Sequence, residues 1–153
     1  MTLYIDDIFS NRYQKVNPQH QEYITLGIGG NVGNTKRIFQ KLISHLKSNK
    51  KINLISISPI LQNPPFGYIN QDDFYNCIII IKSSLSVNEL FKLTSRLENR
   101  FGRIRTFQDA PRTLDIDIIF FKQKKINTKK LTIPHKDWHN RDSVTIPLQI
   151  NHL

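Results

Sequence analysis

The chain is organised around twelve residues, Ala110-Pro111-Arg112-Thr113-Leu114-Asp115-Ile116-Asp117-Ile118-Ile119-Phe120-Phe121. From Thr113 onward, β-branched, aromatic and leucine residues predict a β-strand, and the proline breaks whatever precedes it. Side chains alternate along a strand. One face is therefore expected to carry Leu114, Ile116, Ile118 and Phe120, and the other Asp115, Asp117, Ile119 and Phe121. Two carboxylates thus point the same way from an otherwise apolar strand.

This pair of carboxylates, Asp115 and Asp117, is the main chemical signal. Two acids side by side repel each other unless a positive charge lies between them. Hard oxygen ligands suit Mg²⁺, which needs few protein ligands when phosphates and waters supply the others. Arg112, just before the strand, offers a planar fork for phosphate oxygens, so the pattern indicates a phosphorylated substrate. The simpler alternative is that the acids form surface salt bridges with some of the 22 Lys and Arg residues.

Composition limits the class of protein. The 153 residues, 39% of them hydrophobic, predict a globular chain with a proper core. The sequence contains no run of about 18 apolar residues, the length needed to span a bilayer, and the N-terminus does not resemble a secretory signal. The single cysteine, Cys77, lies in an apolar run and is expected to be a buried thiol, so a cytoplasmic location is the default. The net charge of +10 admits nucleic acid or small polyanions such as nucleotides as partners.

Two segments have no assigned chemistry at this stage. Residues 1–21 show no clean periodicity and form either a flexible extension or an extra strand, which leaves 22–153 as one domain. The glycine-rich segment Gly29-Gly30-Asn31-Val32-Gly33-Asn34 matches neither common phosphate-binding pattern. It is best interpreted as a tight strand-to-helix turn that brings backbone close to another group.

The order of elements predicts the fold. The strands are expected at Tyr23–Ile28, Ile52–Pro59, Asp72–Ile81 and from Thr113, with a proline-stiffened loop at Leu61–Tyr68. One helix is capped by Asn34, and a second is opened by the capping box Ser86-Val87-Asn88-Glu89. This order is that of the split β-α-β, an α+β ferredoxin-like sandwich. Its antiparallel sheet carries both helices on one face and leaves the acids on the other, bare face, over which the active site lies.

Phe74 and Asn76 suggest a second function for that face. They are two residues apart in a predicted strand and so point the same way. A flat ring can stack on a planar heterocycle while an amide binds its edge, although Phe74 by itself is more typical of a core position.

Taken together, these motifs resemble the 6-hydroxymethyl-7,8-dihydropterin pyrophosphokinases of folate synthesis. The resemblance runs from about Tyr23 to Leu148. Its most specific marks, in family order, are Ile28-Gly29-Gly30-Asn31, Asn63-Pro64-Pro65-Phe66-Gly67, Asp73-Phe74-Tyr75-Asn76, Gly102-Arg103-Ile104-Arg105, Pro111-Arg112-Thr113-Leu114-Asp115-Ile116-Asp117-Ile118 and Ile133-Pro134-His135.

The resemblance implies an ATP-dependent diphosphotransferase, in which the pterin's hydroxymethyl oxygen attacks the β-phosphorus of ATP and AMP leaves. It implies that Asp115 and Asp117 hold two Mg²⁺ ions, while Arg103 and Arg112 neutralise charge on the moving phosphates. The residues implied around ATP are Glu98, Arg105, Ile118, Lys130, Thr132, His135 and Arg141. Those implied around the pterin are Asn63, Pro64, Pro65, Phe66, Phe74 and Asn76.

We expect a monomer that acts on small molecules, ATP and a reduced pterin, and that binds neither nucleic acid nor membrane. Many members clamp the pterin between two aromatic rings, but the second position falls near Ser143 in this chain. Either Trp138 or Phe66 takes that place, or the sandwich is one-sided. The alternative to an enzyme is a basic ferredoxin-like RNA-binding module, which would not explain paired acids on the binding face. A scaffold without catalytic activity is the third reading.

Overall fold

A six-stranded antiparallel sheet forms the centre of the computed structural model, which describes residues 2–4, 16–65, 67–102 and 107–152. The strands are β1 (Thr2–Tyr4), β2 (Ile24–Gly30), β3 (Ile52–Ile57), β4 (Ile60–Asn63), β5 (Phe74–Ser83), β6 (Asp115–Phe121), β7 (Ile126–Asn127) and β8 (Thr132–Ile133). The helices are α1 (Thr35–Ser48), α2 (Val87–Arg100) and α3 (Asp142–His152), with one 3₁₀ turn at Trp138–Asn140. The main sheet has the order β1-β4-β5-β2-β6, with β3 also paired to β5, while β7 and β8 form a separate hairpin.

The sheet corrects one sequence-based boundary. The segment Leu61–Tyr68 was expected to be a loop, but β4 extends to Asn63 and pairs with the start of β5. The strand is interrupted rather than ended by Pro59, which has no N–H to donate. At the break, the Ser58 hydroxyl accepts the Ile78 N–H at 2.8 Å and so replaces a backbone carbonyl. At the outer edge, Thr2–Tyr4 pairs with β4, as the extra-strand alternative predicted for part of 1–21.

Helices α1 and α2 confirm the local predictions. The Asn34 side chain caps α1 by accepting the Arg37 N–H at 3.3 Å. Both helices pack their apolar residues against one face of the sheet, as expected for the ferredoxin-like class. The buried residues of that layer include Phe39, Leu42, Ile43, Leu46, Leu90 and Leu97.

The capping box of α2 gives a stability prediction. Ser86 Oγ accepts the Glu89 N–H at 3.2 Å, and Glu89 Oε1 accepts the Ser86 N–H at 3.0 Å. Ser86→Ala removes the acceptor of the Glu89 N–H, which has no partner within the helix. The substitution should lower the free energy of unfolding by about 1 kcal/mol. For a domain of this size we expect a fall in Tm of about 2–4 °C, measured by calorimetry. Ser84→Ala, in the exposed loop just before the helix, is the control and should leave Tm unchanged; an equal fall in both variants would contradict a capping role.

A β-bulge in β6 corrects the predicted alternation. Leu26 of β2 pairs with Ile118, whereas Thr25 pairs with Phe120, so Ile119 is an extra residue without a partner. Alternation is inverted beyond it. Phe120, expected among the helix-facing residues, therefore packs on the opposite face, and Phe121 packs beneath the helices instead. Upstream of the bulge, Leu114, Ile116 and Ile118 face the helices as predicted.

The opposite face of the sheet is not bare along its whole length. Val144 and Leu148 of α3 pack against a second apolar cluster, and Trp138 meets Phe120 edge-on at 5.1 Å between ring centroids. The sheet contributes Ile78, Ile80, Ile119 and Phe120 to this cluster. The expectation of a bare face is wrong at this end, because the strands are apolar on both faces here and need a cover. The other end, where β6 begins, is left open. No helix formed by the described residues has the length and apolar character needed to cross a membrane.

Candidate active site

A cavity of about 260 Å³ lies at the open end of this face, between the starts of β5 and β6, the end of β2 and the first residues of α3. Its floor is formed by Gly27 and Gly29. In the register, Gly29 lies between Asn76 and Asp115, and Gly27 lies between Ile78 and Asp117. A Cβ at Gly29 would overlap Asn76 Oδ1, so the amide can cross the floor only because the side chain is missing.

The sequence analysis did not single out Gly27, and it named Gly29 only as part of the glycine-rich turn and of a family motif, without a place in the site. Gly27 and Gly29 alternate within a strand, and glycine inside a strand often marks a close approach by another group. That signal was present, but it does not tell which neighbouring strands lie on either side. Asp109, Asn140 and Asp142 also line the cavity and were not predicted.

The acid pair lies where the strand pattern placed it. Asp115 and Asp117 both line the cavity, with side chains 21% and 34% exposed. Arg112 Nη1 donates to Asp115 Oδ2 at 3.0 Å, and Arg112 Nε donates to the Ala110 carbonyl at 3.0 Å. The Arg112 side chain is only 18% exposed, so its charge is partly shielded from water where it meets the carboxylate.

The donor set fits Mg²⁺. Two carboxylates from one rigid strand face a shared space, and all their ligand atoms are oxygens, which a hard dication prefers. Within the described ranges, no group of three or more His, Cys, Asp or Glu side chains converges. Two carboxylates with further oxygens from phosphate and water is the usual arrangement for Mg²⁺ at nucleotide sites.

His135 lies beside the second acid. Its Nε2 is 3.8 Å from Asp117 Oδ2, and its backbone N–H donates to the Ile119 carbonyl at 2.9 Å. The Asp137 N–H donates to Nδ1 at 3.4 Å, so the neutral ring carries its proton on Nε2. Burial, followed by the positive charge of Arg141, lowers the pKa of His135. The imidazole is therefore a neutral Nε2–H donor near pH 7.

The predicted pterin residues form the neighbouring wall. Phe74, Asn63 and Asn76 line the cavity together with Pro64 and Pro65. Asn76 Nδ2 donates to Asn63 Oδ1 at 2.6 Å, which fixes both amides. The guanidinium carbon of Arg112 lies 5.5 Å from the centre of the Phe74 ring. The cation–π contact therefore joins the aromatic wall to the charged wall.

Of the remaining residues predicted to surround ATP, one lines the cavity and four do not. Arg141 lines the cavity at the start of α3. Glu98 is 5% exposed on α2, and its Oε2 accepts the Ile116 N–H at 3.3 Å. The side chain of Ile118 is buried in the core beneath the helices. Lys130 and Thr132 are exposed in the β7–β8 hairpin, and β8 packs beside β6. These last four are therefore not part of the cavity wall.

Three predicted residues, Phe66, Arg103 and Arg105, lie outside the described residues. Ser143 lines the cavity, as expected for the position where many members of the family carry a second ring. Trp138 packs on Phe120 in the apolar cluster under α3 rather than on the cavity wall.

Comparison with known proteins gives consistent matches over most of the chain. The family model described as 7,8-dihydro-6-hydroxymethylpterin-pyrophosphokinase matches residues 25–151. A 2-amino-4-hydroxy-6-hydroxymethyldihydropteridine pyrophosphokinase of Helicobacter pylori is 46% identical over 132 residues, covering 85% of this chain and 81% of the relative. Proteins of the same name are 38% identical in Campylobacter jejuni over 128 residues, and 33% identical in Bacillus subtilis over 123 residues. These cover 83% and 80% of this chain, and 82% and 74% of the relatives.

Proposed function

Because the chain belongs to the 7,8-dihydro-6-hydroxymethylpterin pyrophosphokinase family, we propose how its own residues share the work of that reaction. The enzyme transfers pyrophosphate from ATP to the hydroxymethyl group of 6-hydroxymethyl-7,8-dihydropterin in folate biosynthesis. The pterin oxygen attacks the β-phosphorus, the bond to the α-phosphate oxygen breaks, and AMP leaves. Such chemistry needs alignment and charge neutralisation more than a nucleophilic side chain.

One observation carries the assignment of roles. The acid pair with Arg112 and the pair Phe74 and Asn76 form adjacent walls of the same cavity. A phosphate chain beside the first wall and a pterin beside the second would meet above the glycine floor. The contact of Arg112 with both Asp115 and Phe74 supports a common boundary between the two subsites.

On the charged wall, Asp115 and Asp117 would hold Mg²⁺, with two ions expected. When bound, the metal would supply charge neutralisation and orientation for the phosphate oxygens. Arg112 and Arg141 supply further positive charge beside them, and the neutral His135 offers its Nε2–H to a phosphate oxygen. Arg103 and Arg105 belong to the same proposal, as do Glu98, Ile118, Lys130 and Thr132 around the nucleotide.

On the pterin wall, Phe74 stacks on the ring system, and the amides of Asn63 and Asn76 bind its polar edge. Their mutual hydrogen bond sets the orientation of both amides before substrate arrives. Pro64 and Pro65 limit the width of the slot, and Phe66 completes the proposed pterin set.

The test of the function is direct. Purified protein supplied with Mg²⁺, ATP and reduced hydroxymethylpterin should release AMP and form the pterin diphosphate in equal amounts, measured by chromatography. Omitting the pterin is the control and should abolish AMP release. If no AMP appears and the protein instead binds single-stranded RNA with a steep salt dependence, the RNA-binding alternative is correct.

Phe74→Ala separates pterin binding from chemistry. Loss of the stacking surface should raise KM for the pterin about 10-fold or more, since an aromatic contact of this kind contributes on the order of 1–2 kcal/mol. KM for ATP should change much less. Trp138→Ala is the matched control: it removes the ring that packs on Phe120, so Tm should fall while the pterin KM stays constant. An equal rise in the pterin KM for Trp138→Ala would identify Trp138 as the missing second stacking ring.

The proposal also includes the organisation of the protein. Residues 22–153 act as a single catalytic domain with 1–21 as an N-terminal extension. The enzyme works in the cytoplasm as a monomer. It binds ATP and a reduced pterin, and it binds neither nucleic acid nor membrane. Gel filtration with light scattering tests the oligomeric state.

A further inference from the structure

Asn31, in the glycine-rich turn after β2, has no role in the assignments above, yet it is only 8% exposed. Its side-chain amide is fully used. Oδ1 accepts the Arg112 N–H at 3.0 Å, and Nδ2 donates to Gln71 Oε1 at 2.8 Å and to the Asp72 carbonyl at 2.9 Å. A buried amide with all these partners fixes the groups that it contacts, because breaking any one bond leaves a polar atom unsatisfied.

Gln71 extends this connection to a third loop. Its Nε2 donates to the Tyr68 carbonyl at 2.6 Å and to the Asp109 carbonyl at 2.9 Å. We call Asn31 and Gln71 the amide bridge. The bridge joins the turn after β2, the loop between β4 and β5, and the loop that leads into β6.

One end of the bridge holds the backbone of Arg112, together with the main chain of the turn. The N–H of this residue binds Asn31 Oδ1, while its carbonyl accepts the backbone N–H groups of Asn31 at 2.9 Å and Val32 at 3.2 Å. A Cβ at Gly30 would overlap the Thr113 carbonyl, so the two segments can approach this closely only with glycine there. The main chain of Arg112 is thus held through both its donor and its acceptor.

The position of that main chain decides where the guanidinium lies. The Arg112 side chain reaches back to the Ala110 carbonyl and forward to Asp115 and the Phe74 ring. A planar fork binds two oxygens well only at a defined distance and orientation. A displacement of about 1 Å in a positioning group can lower a rate about 100-fold.

We propose that Asn31 is a positioning residue of pyrophosphoryl transfer, which holds Arg112 in register with the loop between β4 and β5 through Gln71. The inference rests on the proposed function of Arg112. It assigns to the glycine-rich turn a role in aligning the two subsites rather than in binding nucleotide.

Asn31→Ala is the first test. It should lower kcat about 10- to 100-fold while KM for ATP changes less than about 3-fold, because the charge of Arg112 is retained but its orientation is lost. Asn34→Ala is the matched control from the same turn: it removes the cap of α1 and should lower Tm without lowering kcat. A normal kcat in Asn31→Ala, or an equal loss of kcat in both variants, would overturn the proposal.

A double-mutant cycle distinguishes positioning from general damage. In an Arg112→Ala background, Asn31→Ala should lower kcat less than 3-fold further, since there is no guanidinium left to orient, while its effect on Tm persists. Gln71→Ala should resemble Asn31→Ala, and the two losses should not add. If Asn31→Ala lowered kcat by the same factor with and without the Arg112 side chain, Asn31 would act independently of that side chain.

A readout without turnover keeps the inference separate from the proposed function. Hydrogen exchange at the Arg112 amide, followed by NMR, should be at least 10-fold faster in Asn31→Ala and unchanged in Asn34→Ala. If Asn31→Ala does not fold, Asn31→Asp replaces it: the acceptor for the Arg112 N–H is kept, both donors are lost, and kcat should still fall. Unchanged exchange in Asn31→Ala, or unchanged kcat in Asn31→Asp, contradicts the bridge. Absence of AMP release by the unmodified protein contradicts the proposed function instead.

Discussion

Asp115→Asn and Asp117→Asn should each lower kcat for AMP release about 100- to 1,000-fold. The amide keeps the size of the carboxylate but has no charge to hold a dication, and metal stabilisation of developing charge contributes several kcal/mol. A loss of about 3–4 kcal/mol corresponds to this range. Asp115→Asn also deprives Arg112 of its ion-pair partner, so it should be the more damaging of the two.

The measurement is steady-state AMP release as a function of Mg²⁺ concentration. Both variants should need more Mg²⁺ for half-maximal rate, and excess Mg²⁺ should restore only part of the activity. Asp73→Asn is the control, because this exposed carboxylate lies in the loop before β5 and outside the cavity wall. Near-normal activity in both acid variants would refute the metal assignment.

Arg112→Ala should have the next largest effect, a fall in kcat of about 100-fold. The guanidinium is in direct contact with Asp115, and removal of one well-placed donor to developing charge costs about 2–4 kcal/mol. Arg112→Lys should recover part of the loss, because it restores the charge but not the planar fork that spans two oxygens.

Single-turnover and steady-state rates with saturating ATP give the comparison. Arg96→Ala, an exposed arginine on α2 outside the cavity, should behave like the unmodified enzyme. A lysine variant as inactive as the alanine variant would show that geometry accounts for the whole contribution of Arg112. An alanine variant with full activity would remove Arg112 from the catalytic set.

Local patterns in the sequence predicted most of the fold. The apolar residues of α1 and α2 recur at helical spacing, and their caps lie next to them in the chain, so short-range interactions decide these elements. The common direction of Asp115 and Asp117 follows from strand alternation over two residues. These predictions required no knowledge of neighbouring strands.

Features that depend on distant parts of the chain could not be predicted in this way. The bulge at Ile119 reflects the register between β2 and β6, which is not encoded in β6 alone. The sequence predicts that a strand ends at Pro59, whereas in the structure pairing with β5 occurs on both sides of this proline. Helix α3 contains Pro147 and only a weak apolar periodicity, so its cover over the sheet is set by tertiary packing.

The candidate site shows the same division. Residue types in the motifs indicated metal, phosphate and pterin chemistry, but not which of them share a wall. That Gly27 and Gly29 form the floor follows from the order β5-β2-β6, which puts Gly29 between Asn76 and Asp115 and puts Gly27 between Ile78 and Asp117. The connection from Asn31 to Arg112 spans 81 positions in the chain and is visible only in three dimensions.

The extra residue Ile119 divides β6 into two halves, in which opposite sets of positions, even-numbered before it and odd-numbered after it, face the helices. Before Ile119, even-numbered positions belong to the helix layer; after it, the odd-numbered Phe121 does. A one-residue deletion between Leu114 and Asp117 would therefore move an acid into the apolar layer. Loss of Ile119 would instead restore regular pairing, although it would also remove a buried side chain from the cluster under α3. Tolerance to insertions and deletions should thus change abruptly within a few positions of this strand. The half before Ile119, which carries the carboxylates, should tolerate none.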